Sequence, residues 1–166
     1  GLHNWLGSAL MMTGDTRGAG EEFSEALRLD PELELAHLGL GALLSASGRY
    51  SEAADSFAMA VELQPNSVQA RLGLTDALRA LGRVEEALVQ LERVVELDPS
   101  FVDVWMARAI VLIQLGRYRE ARDMLSQATL IHRDHPGLAD LLIRILAAAP
   151  DDSVRDGVRA LVLMQE

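Results

Sequence analysis

GRYSEAADSFAMAVELQP, residues 48–65, decides how this chain folds, because it comes back. The same frame holds GDTRGAGEEFSEALRLDP at 14–31, GRVEEALVQLERVVELDP at 82–99 and GRYREARDMLSQATLIHR at 116–133. Gly14, Gly48, Gly82 and Gly116 stand 34 residues apart, as do Ala19, Ala53, Ala87 and Ala121, and Pro31, Pro65 and Pro99. A fixed period of this length marks a stack of helix-turn-helix units. Such stacks present extended surfaces to partners.

Each unit splits into two amphipathic helices. In the second row the spacing predicts a first helix from Glu32 to Ala46, with Leu40, Gly41 and Leu44 inward. Gly48 ends it, since glycine takes the left-handed conformation of a tight helix stop. Tyr50 or Ser51 starts the second helix, which carries Ala53, Phe57 and Ala60 in one stripe. Pro65 suits the first turn of the next helix, and Asp30-Pro31 and Asp98-Pro99 read as N-cap aspartates ahead of a proline. Gly7 and Gly41, with the alanine column, let paired helices approach, while Phe23, Phe57, Leu91 and Leu125 fill the space toward the next unit.

The residues group as 1–33, 34–67, 68–101 and 102–135, with an irregular fifth unit over 136–166, all in one array. In the fifth unit Arg133 stands where proline is expected and Pro136 comes three residues late. A helix over Leu138–Ala148 is followed by a stripe of Gly157, Leu161 and Met164, two residues behind the frame. The chain reads as a fragment, since Gly1-Leu2-His3 already looks like helix interior.

Composition narrows the function classes. The chain has no cysteine, which excludes disulfide frameworks, thiolate metal sites and cysteine nucleophiles. Its net charge of −10 argues against a nucleic-acid backbone as ligand. It leans toward neutral or basic partners. No apolar run reaches transmembrane length: Leu141–Ala149 is short and holds Arg144. Compartment is left open.

Taken together, Leu6-Gly7 and Leu40-Gly41, the series Ala19-Phe23-Ala26 and Ala53-Phe57-Ala60, Gly48 with Tyr50, Gly116 with Tyr118, and the closing prolines resemble the tetratricopeptide repeat (TPR) family of bacterial multi-repeat type. The resemblance covers residues 1–131. It implies an all-α, right-handed superhelical solenoid of antiparallel helix pairs with about ten helices. Departures from the family pattern are Thr75 and Ala109 in the glycine column, expected to loosen helix contacts, then Val94, and Arg108 where leucine is usual.

The resemblance also implies a function: a non-enzymatic scaffold that holds a peptide or partner segment in the concave groove lined by first helices. Carried over position by position, that groove is lined by Asn4, Met11, Leu35, Leu38, Gln69, Leu72, Asp76, Arg79, Asp103, Met106, Ile110 and Ile113, with Gln114, Asp140 and Arg144 further along. The family's carboxylate clamp uses cationic side chains at places held here by Asn4, Ser8, Gly39, Gln69 and Gly73, so the clamp is missing. Leu38, Leu72 and Met106 are either groove anchors or residues buried by neighbouring units, and burial of all three would remove the groove. The alternative function is a non-catalytic recruiting segment of a larger enzyme, such as a bacterial transferase. Self-association through the end units is a third route.

Chemistry has little to stand on. His132, Asp134 and His135 lie in the turn before the fifth unit, where two histidines three apart share a face, but no third ligand is near in sequence. A solvated turn with capping residues is the expected use. His3, His37 and Trp105 share one column, which points to packing. Arg117, Arg119 and Arg122 interleave with Glu120 and Asp123 as helix ion pairs. No glycine-rich phosphate loop, catalytic triad or carboxylate pair is present, so no cofactor and no metal are expected.

Overall fold

Four glycines punctuate the chain. In the computed structural model, which describes residues 1–150 and 154–156, Gly14, Gly48, Gly82 and Gly116 have φ between 70° and 83°. This left-handed backbone is open to glycine at no steric cost. Each glycine follows a first helix and lets the next N–H reach back, as from Arg49 to Leu44 O and from Arg117 to Leu112 O, both at 2.9 Å. The helix therefore stops with its carbonyls satisfied.

Nine helices are described: α1 Leu2–Thr13, α2 Thr16–Leu29, α3 Glu34–Ala46, α4 Tyr50–Leu63, α5 Val68–Ala80, α6 Val84–Leu97, α7 Val102–Gln114, α8 Tyr118–Ile131 and α9 Pro136–Ala148. The tenth helix expected at Gly157, Leu161 and Met164 lies outside the described residues. The chain divides into two compact units, Gly1–Gln90 and Leu91–Glu166, with the division inside α6.

The prolines act differently from the sequence expectation. Pro31, Pro65 and Pro99 sit in the turn between units, and the helices begin three residues later. Asp30 and Asp98 accordingly do not cap a following helix. Asp30 Oδ1 accepts the Glu32 N–H at 3.2 Å and Asp98 Oδ1 accepts the Ser100 N–H at 3.0 Å, closing the turn itself. The N-caps are Leu33, Ser67 and Phe101. Pro136, by contrast, does occupy the first turn of α9.

The column of His37, Arg71 and Trp105 has a polar duty. The His37 ring nitrogen meets Pro31 O at 2.9 Å, Arg71 donates to Pro65 O at 2.7 Å, and Trp105 Nε1–H donates to Pro99 O at 2.9 Å. Three chemically different side chains thus satisfy the same turn carbonyl, which no helix N–H reaches.

In the first unit α1 packs on α2, α2 on α3, α3 on α4 and α4 on α5. The first helices also touch one another, α1 with α3 and α3 with α5, while among the described residues α2 and α4 do not meet. The face made by first helices is therefore the concave one. In the second unit α7, α8 and α9 pack in sequence, and α7 touches α9.

Phe23 and Phe57 fill holes made by glycine. A Cβ placed on Gly7 would stand 2.9 Å from the Phe23 ring, and one on Gly39 only 2.4 Å from it. Gly41 and Gly73 flank Phe57 in the same way, at 2.9 and 2.5 Å. Where the aromatic column holds leucine, at Leu91 and Leu125, the flanking columns hold Thr75 with Ala107 and Ala109 with Leu141. Ring size and flanking residue trade volume. Thr75 and Ala109 are both buried.

Candidate functional site

The carried-over groove residues do not share one fate. Leu38 is 7% exposed and belongs to the core cluster with Leu44, Phe57 and Leu74. The α3 helix turns it onto its neighbours, so it is a packing residue and the expectation that it anchors a ligand is corrected. Asn4 is also buried, at 9%, with its Oδ1 lacking a partner, and is corrected likewise. Met11, Leu72 and Met106 are half-buried, and Leu35, Gln69, Asp76, Arg79 and Asp103 are exposed. With Leu72 partly open in the first unit and Met106 in the second, the first helices of each keep apolar surface.

Four of the carried-over positions converge. Ile110, Ile113 and Gln114 on α7 and Arg144 on α9 line one groove of about 570 Å³ in the second unit, a volume in the range of ligand sites. Leu141 and Ile145 of α9, Tyr118 at the start of α8, and Ala148, Ala149 and Pro150 at and just after the end of α9 also line it. The two first helices run side by side here, so their equivalent positions 110 and 144, one period apart, face a common crease. The lining is mainly aliphatic, and its polar groups are the Gln114 amide, the Tyr118 hydroxyl and the Arg144 guanidinium.

Sequence reasoning missed Leu141, Ile145 and Tyr118. Leu141 stands in the column of Gly39 and Gly73, where a large side chain became compatible once Leu125 replaced the phenylalanine of that column. That pairing was the available signal.

The opposite face carries clefts of another kind. Between α2 and α4 a cleft of about 770 Å³ is floored by Leu40, Leu43 and Leu44. It recurs one period later over Leu74 and Leu78, where it is only about 140 Å³ and is lined by Ala54 and Ala58 in place of Gly20 and Ser24. The charges on these walls answer one another: Arg28 with Glu25 at 2.7 Å, Arg49 with Glu52 and Arg83 with Glu86 at 2.6 Å. The hydrogen bond from each arginine holds the carboxyls of Glu25, Glu52 and Glu86 below the usual range, and Arg117 does the same for Glu120.

Arg108 departs from the leucine of its column and pairs with Glu92 at 3.0 Å, its Nε buried without a partner. The turn histidines serve the fold. His132 Nε2 meets Pro99 O at 2.9 Å and its ring stands edge-on to Trp105 at 6.3 Å, while His135 is the N-cap residue of α9. Among the described residues there is no cluster of three metal-ligating side chains and no helix long and apolar enough to cross a membrane.

A sequence profile described as tetratricopeptide repeat matches residues 10–72, 45–109 and 78–145. Comparison with curated protein sequences gives no match. Among solved structures, one of MamA protein is similar at a TM-score of 0.82 and 20% identity, covering 99% of this chain and 87% of that one. A second MamA structure has a TM-score of 0.78 at 20% identity, covering 96% and 95%. The first TPR of Spaghetti (RPAP3), bound to the HSP90 peptide SRMEEVD, has a TM-score of 0.66 at 20% identity, covering 69% and 90%. At these identities the likeness is one of fold.

Proposed function

Because the chain belongs to the tetratricopeptide repeat family, we propose that it is a non-catalytic protein-interaction module whose first-helix faces hold a peptide or extended partner segment. Its principal seat is the aliphatic groove between α7 and α9. The observation that carries this reading is the convergence of Ile110, Ile113, Gln114 and Arg144 in one cavity. Apolar anchors framed by a few orienting polar groups are what a bound segment needs.

The Spaghetti (RPAP3) relative supports the mode, since it holds a peptide. The means of holding differ here. Gly39 and Gly73, at two clamp positions, are the holes for Phe23 and Phe57, so no cationic side chain fits there. Net charge of −10 supports protein over nucleic acid as partner.

The test is affinity capture from source-cell lysate with wild type and with Ile110→Asp. Ile110 is exposed, so its replacement leaves the helices folded, unlike a change at buried Leu38. Loss of the captured protein at unchanged helicity supports the groove. A partner held equally well by the variant refutes it.

A further inference from the structure

Resting on the groove reading above, we infer that the occupant is an aliphatic–acidic segment: two aliphatic side chains on Ile110, Ile113, Leu141 and Ile145, and an aspartate or glutamate side chain on Arg144. Among the described residues lining the groove Arg144 carries the one formal charge. That is notable in a chain of net charge −10.

The guanidinium is uncommitted. Its side chain is 73% exposed and the nearest carboxylate, Asp140, stands at 4.0 Å, beyond hydrogen-bond length. Arginines on or just ahead of second helices behave otherwise: Arg28, Arg83 and Arg117 hydrogen-bond their glutamates at 2.7, 2.6 and 2.5 Å. In the first unit Arg79, also on a concave face, repeats the loose arrangement, 3.9 Å from Asp76. Unlike Arg71 and Arg108, first-helix arginines that are hydrogen-bonded, Arg144 leaves its planar fork open, and that fork matches a carboxylate.

The remaining polar atoms fit the same partner. Helix C-termini normally expose carbonyls, which would favour a donor. Here Val111 and Ile113 carbonyls accept from Leu115 and Gly116, while Ile145 and Leu146 accept from Ala149 and Asp156. These four carbonyls are engaged internally, and the Gln114 amide, the Tyr118 hydroxyl and the Arg144 guanidinium each have an N–H or O–H to donate. The chain's distant carboxylates oppose an acidic ligand only weakly, because a Debye length of about 8 Å at physiological salt screens them. Asp140 is the near opponent, within reach of any carboxylate that reaches Arg144.

Fluorescence anisotropy on the whole chain tests this with three synthetic fluorescein-labelled peptides. They share one pattern of leucines and carry glutamate, glutamine or lysine at the polar positions. The glutamate peptide is expected to bind about threefold tighter than the glutamine one, the scale of one exposed ion pair. Arg144→Gln erases that preference, and Asp140→Asn widens it. A glutamine or lysine peptide that binds as well as the glutamate one overturns the inference, as does a preference that survives Arg144→Gln. If those peptides still lose binding in Ile110→Asp, the groove itself stands. Absence of binding by all three peptides overturns both readings.

Discussion

Replacing Gly39 with alanine adds one methyl group, and the structure says where it goes. Its Cβ would lie 2.4 Å from Cε1 and Cζ of Phe23, against about 3.5–4.0 Å for an ordinary carbon contact. The ring must retreat by more than about 1 Å. It has nowhere to retreat, being fully buried with Gly7 close on its other side. Overpacking of this kind costs about 1–3 kcal/mol. The depth of the overlap puts Gly39→Ala near the upper end. Helix propensity works the other way, since alanine is favoured over glycine inside a helix by about 1 kcal/mol. The net expectation is a loss of about 2 kcal/mol. Urea unfolding followed by circular dichroism reads it as a lower midpoint at unchanged slope. The fourth unit supplies a control, because leucine at position 91 goes with alanine at 107. Phe23→Leu combined with Gly39→Ala is therefore expected to cost less than the two single changes summed, a coupling that a double-mutant cycle detects. A midpoint for Gly39→Ala equal to or above wild type, or a cycle with no coupling, would refute the glycine-hole reasoning.

Gly20→Ala, in α2, gives the opposite sign. Its Cβ meets only Leu43 Cδ2, at 3.2 Å, so the propensity gain of up to about 1 kcal/mol should survive and raise the same midpoint. Trp105→Phe keeps the aromatic body but removes the indole donor, leaving His132 Nε2 at Pro99 O, so a loss of about 0.5–1 kcal/mol in unfolding free energy is expected. The carboxyls of Glu25, Glu52, Glu86 and Glu120 lie below 4.5 in the folded chain, through hydrogen bonds from Arg28, Arg49, Arg83 and Arg117. A lowered folded-state value means that these pairs stabilise the fold above the unfolded value of about 4.5 and stop doing so as pH falls through the folded values. Carboxyl NMR titration should show all four midpoints depressed, and molar salt should shrink the shifts. Unshifted midpoints would show that the pairs do not persist in solution.

The helices were legible because their causes are local. Gly48 with its left-handed backbone, the Ala53-Phe57-Ala60 stripe and the start at Tyr50 each follow from a few neighbouring residues, and repetition at 34 residues multiplies a weak signal. The resemblance carried over from that repetition also placed Ile110, Ile113, Gln114 and Arg144 on first helices, at positions that turned out to face one groove. The Asp-Pro turns were misread because an aspartate ahead of a proline caps a helix or closes a turn with the same two residues. The choice depends on whether the helix starts at once, as at Pro136, or three residues on, as after Pro31.

Other features required the packed structure. Leu38 and Leu72 stand one period apart and look interchangeable in sequence, yet one is core and the other half-open, since burial depends on how closely neighbouring helices stack. The duty of His37, Arg71 and Trp105 was hidden because an imidazole, a guanidinium and an indole have in common only an N–H that reaches a proline carbonyl. Sequence by itself determined the period, the helix pairs and the glycine stops, which are properties of the chain with itself at short range. Only tertiary structure decided which side chains of the concave helices are used up in packing and which arginines are left with free donors, because both depend on distances between residues from different helices or successive turns.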